Sequence, residues 1–141
     1  MKILILCTGN SCRSQMAEGY LRSFDSRIEV HSAGSRPAKQ VNPYAIRVMA
    51  EDGIDLSAAL ARDVREYLDQ PWDYVITVCG NADRDCPAFI GAVGQRLHIG
   101  FEDPADATGS EEEILAVFRA SRDEIRARFR TWFDSEVAPQ L

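Results

Sequence analysis

The stretch Lys2-Ile3-Leu4-Ile5-Leu6-Cys7-Thr8-Gly9-Asn10-Ser11-Cys12-Arg13-Ser14 decides the reading of this chain. Lys2–Leu6 is a short apolar run that predicts a buried strand, and the strand delivers Cys7 to a tight loop containing Gly9. Met16, Ala17, Tyr20, Leu21 and Phe24 then recur at helical spacing, which predicts an amphipathic helix from Ser14 to Phe24. Backbone N–H groups at a helix start lack partners, and the helix dipole favours negative charge there, so the loop is expected to cradle an anion. A cysteine in such a setting is expected to ionise readily, its pKa falling from about 8.5 to roughly 3.5–7.5. Arg13 adds a planar, permanently charged fork suited to a tetrahedral oxyanion. An isolated cysteine is often only a small buried hydrophobe. Cys12, inside the loop, is open to that reading, but Cys7 with Arg13 and Ser14 at C-x5-R-S spacing fits a nucleophile beside its anion site.

The 141 residues predict one domain spanning 1–141, large enough to bury about two-thirds of its unfolded surface. A hydrophobic content of 45% and a charged content of 27% are ordinary for a globular chain. No apolar run approaches the roughly 20 residues of a membrane span, and Ile3–Leu6 is shorter than a signal-peptide core of about 7–15 residues. Leu4-Ile5-Leu6-Cys7 lacks the small residue of a lipoprotein cleavage box. A cytoplasmic location is expected, where four cysteines point to catalysis or metal binding sooner than to structural disulfides. Net charge is −6, and residues 101–141 supply −5 of it, from five Arg against ten Asp and Glu. A nucleic-acid or anionic-membrane partner would want a basic face, so neither is expected. Anion binding must come from local loop geometry.

Strands and helices alternate along the chain. Ile28–Ser32 reads as a second strand, closed by Ala33-Gly34. Asn42-Pro43 reads as an N-cap with Pro at the first helical position, followed by Ala45, Ile46, Met49 and Ala50 facing inward until Gly53. A shorter helix is expected around Arg62–Leu68, a β-branched strand at Tyr74–Val78 and a weaker strand at Arg96–Ile99. Ser110 with Glu113 forms a capping box. Behind it Ile114, Phe118, Ile125, Phe129 and Trp132 form an apolar core stripe. Strands separated by helices predict a parallel sheet flanked on both faces, with ligands beyond the carboxyl ends of the strands. Cys7, Cys79 and Asp103 all fall at that one edge.

Cys79 and Cys86 bracket a polar, Gly- and Asn-containing loop. Together with Cys7 and Cys12 their spacings do not match the tight cysteine pairs of zinc sites, and Arg13 is a poor neighbour for a cation, so no metal is expected. A dithiol that closes to a disulfide fits better, and its Cα atoms must come within about 7 Å. Asp103, followed by Pro104, can serve as a general acid opposite the anion cradle.

These residues together carry a resemblance. Cys7-x5-Arg13-Ser14, Ser32-Ala33-Gly34, Gly53-Ile54-Asp55, the Cys79-x6-Cys86 pair and Asp103-Pro104 resemble, in order and along essentially the whole chain, the thioredoxin-coupled arsenate reductases. These are built on the low-molecular-weight protein tyrosine phosphatase fold. The resemblance implies a single α/β domain with a four-stranded parallel sheet flanked by helices, and intracellular reduction of arsenate to arsenite. It also implies roles for individual residues. Cys7 would be the nucleophile, Arg13 the oxyanion binder, Asp103 the acid, and Cys79 and Cys86 the redox relay. Thr8, Gly9, Asn10, Ser11, Cys12 and Ser14 would form the oxyanion loop, with Asn10 holding its shape and Ser14 donating to the thiolate. Thioredoxin is the reductant implied, no cofactor is expected, and a monomer is expected.

Some arsenate reductases bind potassium near a polar stretch that follows the Asp-Ile/Leu-Ser segment. Here the corresponding residues are Ala58-Ala59-Leu60-Ala61-Arg62, short of oxygen ligands, and Arg62 or a neighbouring basic group is expected to supply the charge instead. Two alternatives stand beside the reductase. A low-molecular-weight protein tyrosine phosphatase would use the same loop, Arg13 and Asp103 while leaving Cys79 and Cys86 idle. A thiol sensor or metal-binding module would leave Arg13 and Asp103 without purpose. A thiol titration separates the three readings: arsenate should consume two thiols, a phosphotyrosine analogue none, and zinc should protect without oxidising.

Overall fold

The protein is described by a computed structural model covering residues 1–79 and 89–141. Strands β1 (Lys2–Cys7), β2 (Glu29–Gly34), β3 (Trp72–Thr77) and β4 (Val93–His98) form one parallel sheet in the order β2-β1-β3-β4. Among the described residues there are three α-helices: α1 (Arg13–Phe24), α2 (Pro43–Glu51) and α3 (Glu111–Trp132). β1 is an inner strand, and Ile3, Leu4 and Ile5 are fully buried, so both of its faces are covered, as an uninterrupted apolar run requires. α1 and α2 each pack on α3, and a single hydrophobic cluster joins β1, β3, α1, α2 and α3.

The helix ends follow the signals in the sequence. Asn42 accepts from the Tyr44 amide with Pro43 at the first position, and Ser110 and Glu113 form the reciprocal capping box. α2 stops at Glu51, and Gly53 adopts a positive φ of 78°. Other boundaries shift. β2 runs two residues further than expected, to Gly34, because it stays paired with β1 as far as Cys7. β3 begins earlier, at Trp72, and β4 at Val93, because those two residues pair. The helix expected around Arg62–Leu68 is only a 3-10 turn, Val64–Glu66, capped by Asp63. In α2 it is Val48, not Ala50, that is buried, and in α3 Leu115 is fully buried where Ile114 is only partly so.

This topology brings the carboxyl ends of β1, β3 and β4 together. Cys7 ends β1, Cys79 lies two residues past β3, and Asp103 comes five residues after β4. The segment after β4 continues alongside the chain leaving β3, with the Ile99 amide donating to the Thr77 carbonyl and the Phe101 amide to that of Val78.

Candidate active site

The loop from Cys7 to Arg13 has its carbonyl groups turned away from its centre and paired. Ser35, Arg36 and Ala38 donate their amides to the carbonyls of Cys7, Thr8 and Gly9 at 3.3, 2.9 and 2.8 Å, and Asn42 donates to that of Ser11. The amides of Gly9, Asn10, Ser11 and Cys12 find no acceptor among the described residues, and α1 has no side-chain cap. Unpaired amides that converge at a helix start make an anion cradle. Gly34 permits this arrangement, since a Cβ there would lie 2.4 Å from the Thr8 carbonyl oxygen.

Asn10 sits at φ 51°, a left-handed conformation that asparagine tolerates better than most residues. Its buried amide is fully used: Nδ2 donates to Ser14 Oγ and Ser32 Oγ at 2.8 and 2.9 Å, while Oδ1 accepts from Gln15 Nε2 and the Arg62 amide. Asn10 therefore ties the loop to Ser14 on α1, Ser32 on β2 and the Arg62 segment. Ser14 departs from expectation. Its hydroxyl accepts from Asn10, and no Ser14–Cys7 hydrogen bond exists among the described residues.

The neighbour of the Cys7 sulfur is Cys79. Cys7 Sγ donates to Cys79 Sγ at 3.4 Å, and Thr8 Oγ1 lies 3.3 Å from the same Cys79 sulfur. Opposing influences act on the ionisation expected of Cys7. The hydrogen bond to Cys79 and burial both push the Cys7 pKa up, against the pull of Arg13 and of the Thr8 amide. Two sulfurs at this distance titrate as a pair, because the first charge opposes the second. Cys12 is also buried, and that burial foremost pushes its pKa up to about 11, so it stays a thiol.

Arg13 opens α1 and reaches across the edge of the sheet. One terminal nitrogen donates to the Phe101 carbonyl at 3.0 Å, and the other lies 3.3 Å from Asp103 Oδ2. Its Nε is buried with no partner among the described residues, a donor position that an oxyanion would satisfy. Asp103 is one-third exposed, and its other oxygen accepts from the Ala105 amide. Cys86 lies outside the described residues.

The Leu60 carbonyl accepts from Gln15 Nε2 at 3.0 Å and the Arg62 carbonyl from the Gly34 amide at 2.8 Å, so both oxygens face N–H donors. The Arg62 amide donates to Asn10 Oδ1 at 2.9 Å, and its side chain is exposed. A cavity of about 760 Å³ behind α1 has Gln15, Glu18, Arg22, His31 and Arg62 in its wall, and Cys7 is not part of it.

Several residues at the site carry no signal in the sequence. Gln15 bridges Asn10 to Leu60. Arg128 on α3 donates to the Gly100 carbonyl at 2.7 Å and lies 4.8 Å over the Phe101 ring, so it fixes the segment on which Arg13 leans. These contacts depend on which elements the fold brings together.

Comparison with known proteins agrees with this geometry. The profile of a family described as low molecular weight phosphotyrosine protein phosphatase matches residues 2–140. An arsenate reductase of Halalkalibacterium halodurans is 46% identical over 134 residues, 94% of this chain and 95% of the relative. A solved structure described as an arsenate reductase in the phosphate binding state superposes with a TM-score of 0.78 at 31% identity, covering 94% of this chain and 96% of its own. A thioredoxin-dependent arsenate reductase of Corynebacterium glutamicum gives 0.62 at 29% identity, covering 95% of this chain and 60% of its own. With the paired sulfurs at its sheet edge and relatives of this closeness along nearly its full length, the chain belongs to the arsenate reductases of the low molecular weight phosphatase family.

Proposed function

We propose that the protein reduces arsenate to arsenite through Cys7, Cys79 and Cys86, with thioredoxin restoring the thiols. The observation that carries this reading is the 3.4 Å approach of the Cys79 sulfur to Cys7, which a phosphatase would not need. Relatives 42–46% identical bear the name arsenate reductase.

The chemistry is set by the residues. Loop amides and Arg13 bind the arsenate oxygens, and the Cys7 thiolate attacks arsenic. Asp103 gives a proton to the oxygen that departs as water, leaving a sulfur–arsenic bond. Cys79 then attacks the Cys7 sulfur. An S–S bond forms, the S–As bond breaks, and its electron pair stays on arsenic, which leaves as As(III). The two sulfurs need only close from 3.4 Å to a bond of about 2.05 Å. Cys86 attacks Cys79 and frees Cys7, and an external dithiol protein reduces the Cys79–Cys86 disulfide. The thioredoxin dependence of the Corynebacterium relative supports thioredoxin in that place.

The working form is a cytoplasmic monomer that needs no metal. Among the described residues no helix is long and apolar enough to cross a membrane. Insensitivity of arsenate affinity to potassium is expected, because Asn10 Oδ1 and the Leu60 and Arg62 carbonyls accept from N–H donors. Slow hydrolysis of phosphotyrosine analogues is expected too, since phosphate shares the shape and charge of arsenate. Steady-state assay with thioredoxin, thioredoxin reductase and NADPH tests the proposal. Arsenate-dependent NADPH oxidation that stalls after one round of arsenite release in Cys86→Ser supports the relay, whereas sustained turnover by that variant refutes it.

A further inference from the structure

The relay requires Cys79 to lose a proton before it attacks, and the steps above name no group that takes it. A cleft of about 600 Å³ opens beside Cys79, walled by His98, Gly100, Phe101, Glu102 and Glu124. His98 ends β4 directly opposite Thr77, and Cys79 lies two residues beyond Thr77. Thr77 Oγ1 lies 2.8 Å from His98 Nδ1 and also reaches the Leu97 carbonyl at 3.4 Å. A threonine that donates to Leu97 accepts from Nδ1–H, which leaves Nε2 as the basic nitrogen. Nε2 lies over Gly100, where an added Cβ would come within 2.8 Å of it, so a glycine is needed for the ring to hold this position.

We propose that His98 is the proton acceptor for Cys79, a role that rests on the three-thiol reading. The proton that Cys7 sheds on attacking arsenic goes to an arsenate oxygen, because Cys79, itself a thiol, has no site for a second proton. Cys79 must then release a proton to become the second nucleophile. It passes to His98 Nε2 through water in the cleft as the S–S bond forms and the electron pair moves to arsenic. His98 returns the proton to solvent. The charged groups around the ring are Glu102 on the loop, Glu124 and Arg128 on α3, and Glu136 on its far side, with Arg128 held 3.9 Å from Glu124 and bonded to Gly100.

Two measurements test this. In the first, reduced enzyme is mixed with arsenate without reductant, and loss of thiols is followed over a range of pH. His98→Gln is expected to slow that loss about a hundredfold at neutral pH, to approach the wild-type rate at alkaline pH, and to be rescued by imidazole. Thr77→Val, which keeps the imidazole but loosens it, is expected to give an intermediate profile with unchanged phosphate affinity. A His98→Gln profile parallel to wild type, or a slowing that neither pH nor imidazole relieves, overturns the proposal. The second measurement omits arsenate. Iodoacetamide labelling of Cys79 is read by mass spectrometry after trypsin cuts at Arg84, which separates it from Cys86. Slower labelling in His98→Gln at neutral pH alone is expected, and equal labelling overturns the proposal. If wild-type enzyme loses no thiols to arsenate, the three-thiol reading fails while the labelling result still decides the role of His98.

Discussion

Replacing Gly34 by alanine should damage the anion cradle while leaving every chemical group in place. A Cβ at position 34 would lie 2.4 Å from the Thr8 carbonyl oxygen, 3.0 Å from the Asn10 amide nitrogen and 3.1 Å from the Gly9 carbonyl carbon. All three are backbone atoms, so no side chain can swing aside, and the loop must retreat by about 1 Å to restore van der Waals contact. Overpacking of this kind costs about 1–3 kcal/mol. The amides of Ser35, Arg36 and Ala38, which pair the loop carbonyls, are strained by the same movement, each bond contributing roughly 1 kcal/mol. Gly34→Ala should therefore lower unfolding free energy by about 2–3 kcal/mol. A displacement of about 1 Å at the site should cut turnover on the order of a hundredfold, and phosphate, a non-reacting analogue, should bind at least tenfold more weakly. Urea unfolding and calorimetric titration with phosphate measure both. Gly53→Ala is the control: it loses about 1–2 kcal/mol from its positive φ, but nothing lies within 4 Å of its Cβ, so phosphate affinity should hold. Wild-type phosphate affinity in Gly34→Ala would refute the placement of the loop by this close approach.

Other outcomes rest on single contacts. Thr8→Val removes the hydroxyl 3.3 Å from the Cys79 sulfur but keeps the loop amide, so rapid-quench thiol counting should show disulfide formation slowed by roughly tenfold, with phosphate affinity unchanged. Arg128→Leu loses the bond to Gly100 and the stacking on Phe101, which together steady the carbonyl that Arg13 grips. KM for arsenate should rise severalfold while kcat changes little in the coupled assay. Acid sensitivity has a clear sign. Arg119 and Arg122 hold Glu51 down to about 2 from 4.5, and Arg27 holds Asp25 down to about 2 from 3.8. Depressed carboxylates favour the fold above the unfolded value and lose that contribution as pH falls through the folded one. Urea midpoints should therefore decline from pH 4.5 towards pH 2, with a shallower slope in Glu51→Gln.

The anion cradle is legible in the sequence because its nucleophile, loop, arginine and helix start are consecutive. The meeting of Cys7, Cys79 and Asp103 is legible for a different reason: a parallel sheet places the ends of β1, β3 and β4 at one edge whatever their side chains. Register is not written so plainly. That Cys79 contacts Cys7 and opposes the lowering of its pKa depends on how β3 lies against β1 and on the path of the chain from Thr77 to Cys79. Ser14 has one hydroxyl and two candidate partners, and only the left-handed turn at Asn10 decides between them. Arg62 meets Asn10 through an amide that every residue except proline possesses, so no side-chain signal marks that contact. His98 and Arg128 look like ordinary surface residues until β4 and α3 come alongside the Cys79 edge.

Counting thiols is the most direct test of the three-sulfur relay. Reduced enzyme, given arsenate and no reductant, should fall from four thiols to two, with one arsenite released and a Cys79–Cys86 disulfide found by peptide mapping. In Cys86→Ser the mapped bond should instead be Cys7–Cys79. Four surviving thiols alongside brisk hydrolysis of a phosphotyrosine analogue would contradict the account and leave a phosphatase in its place.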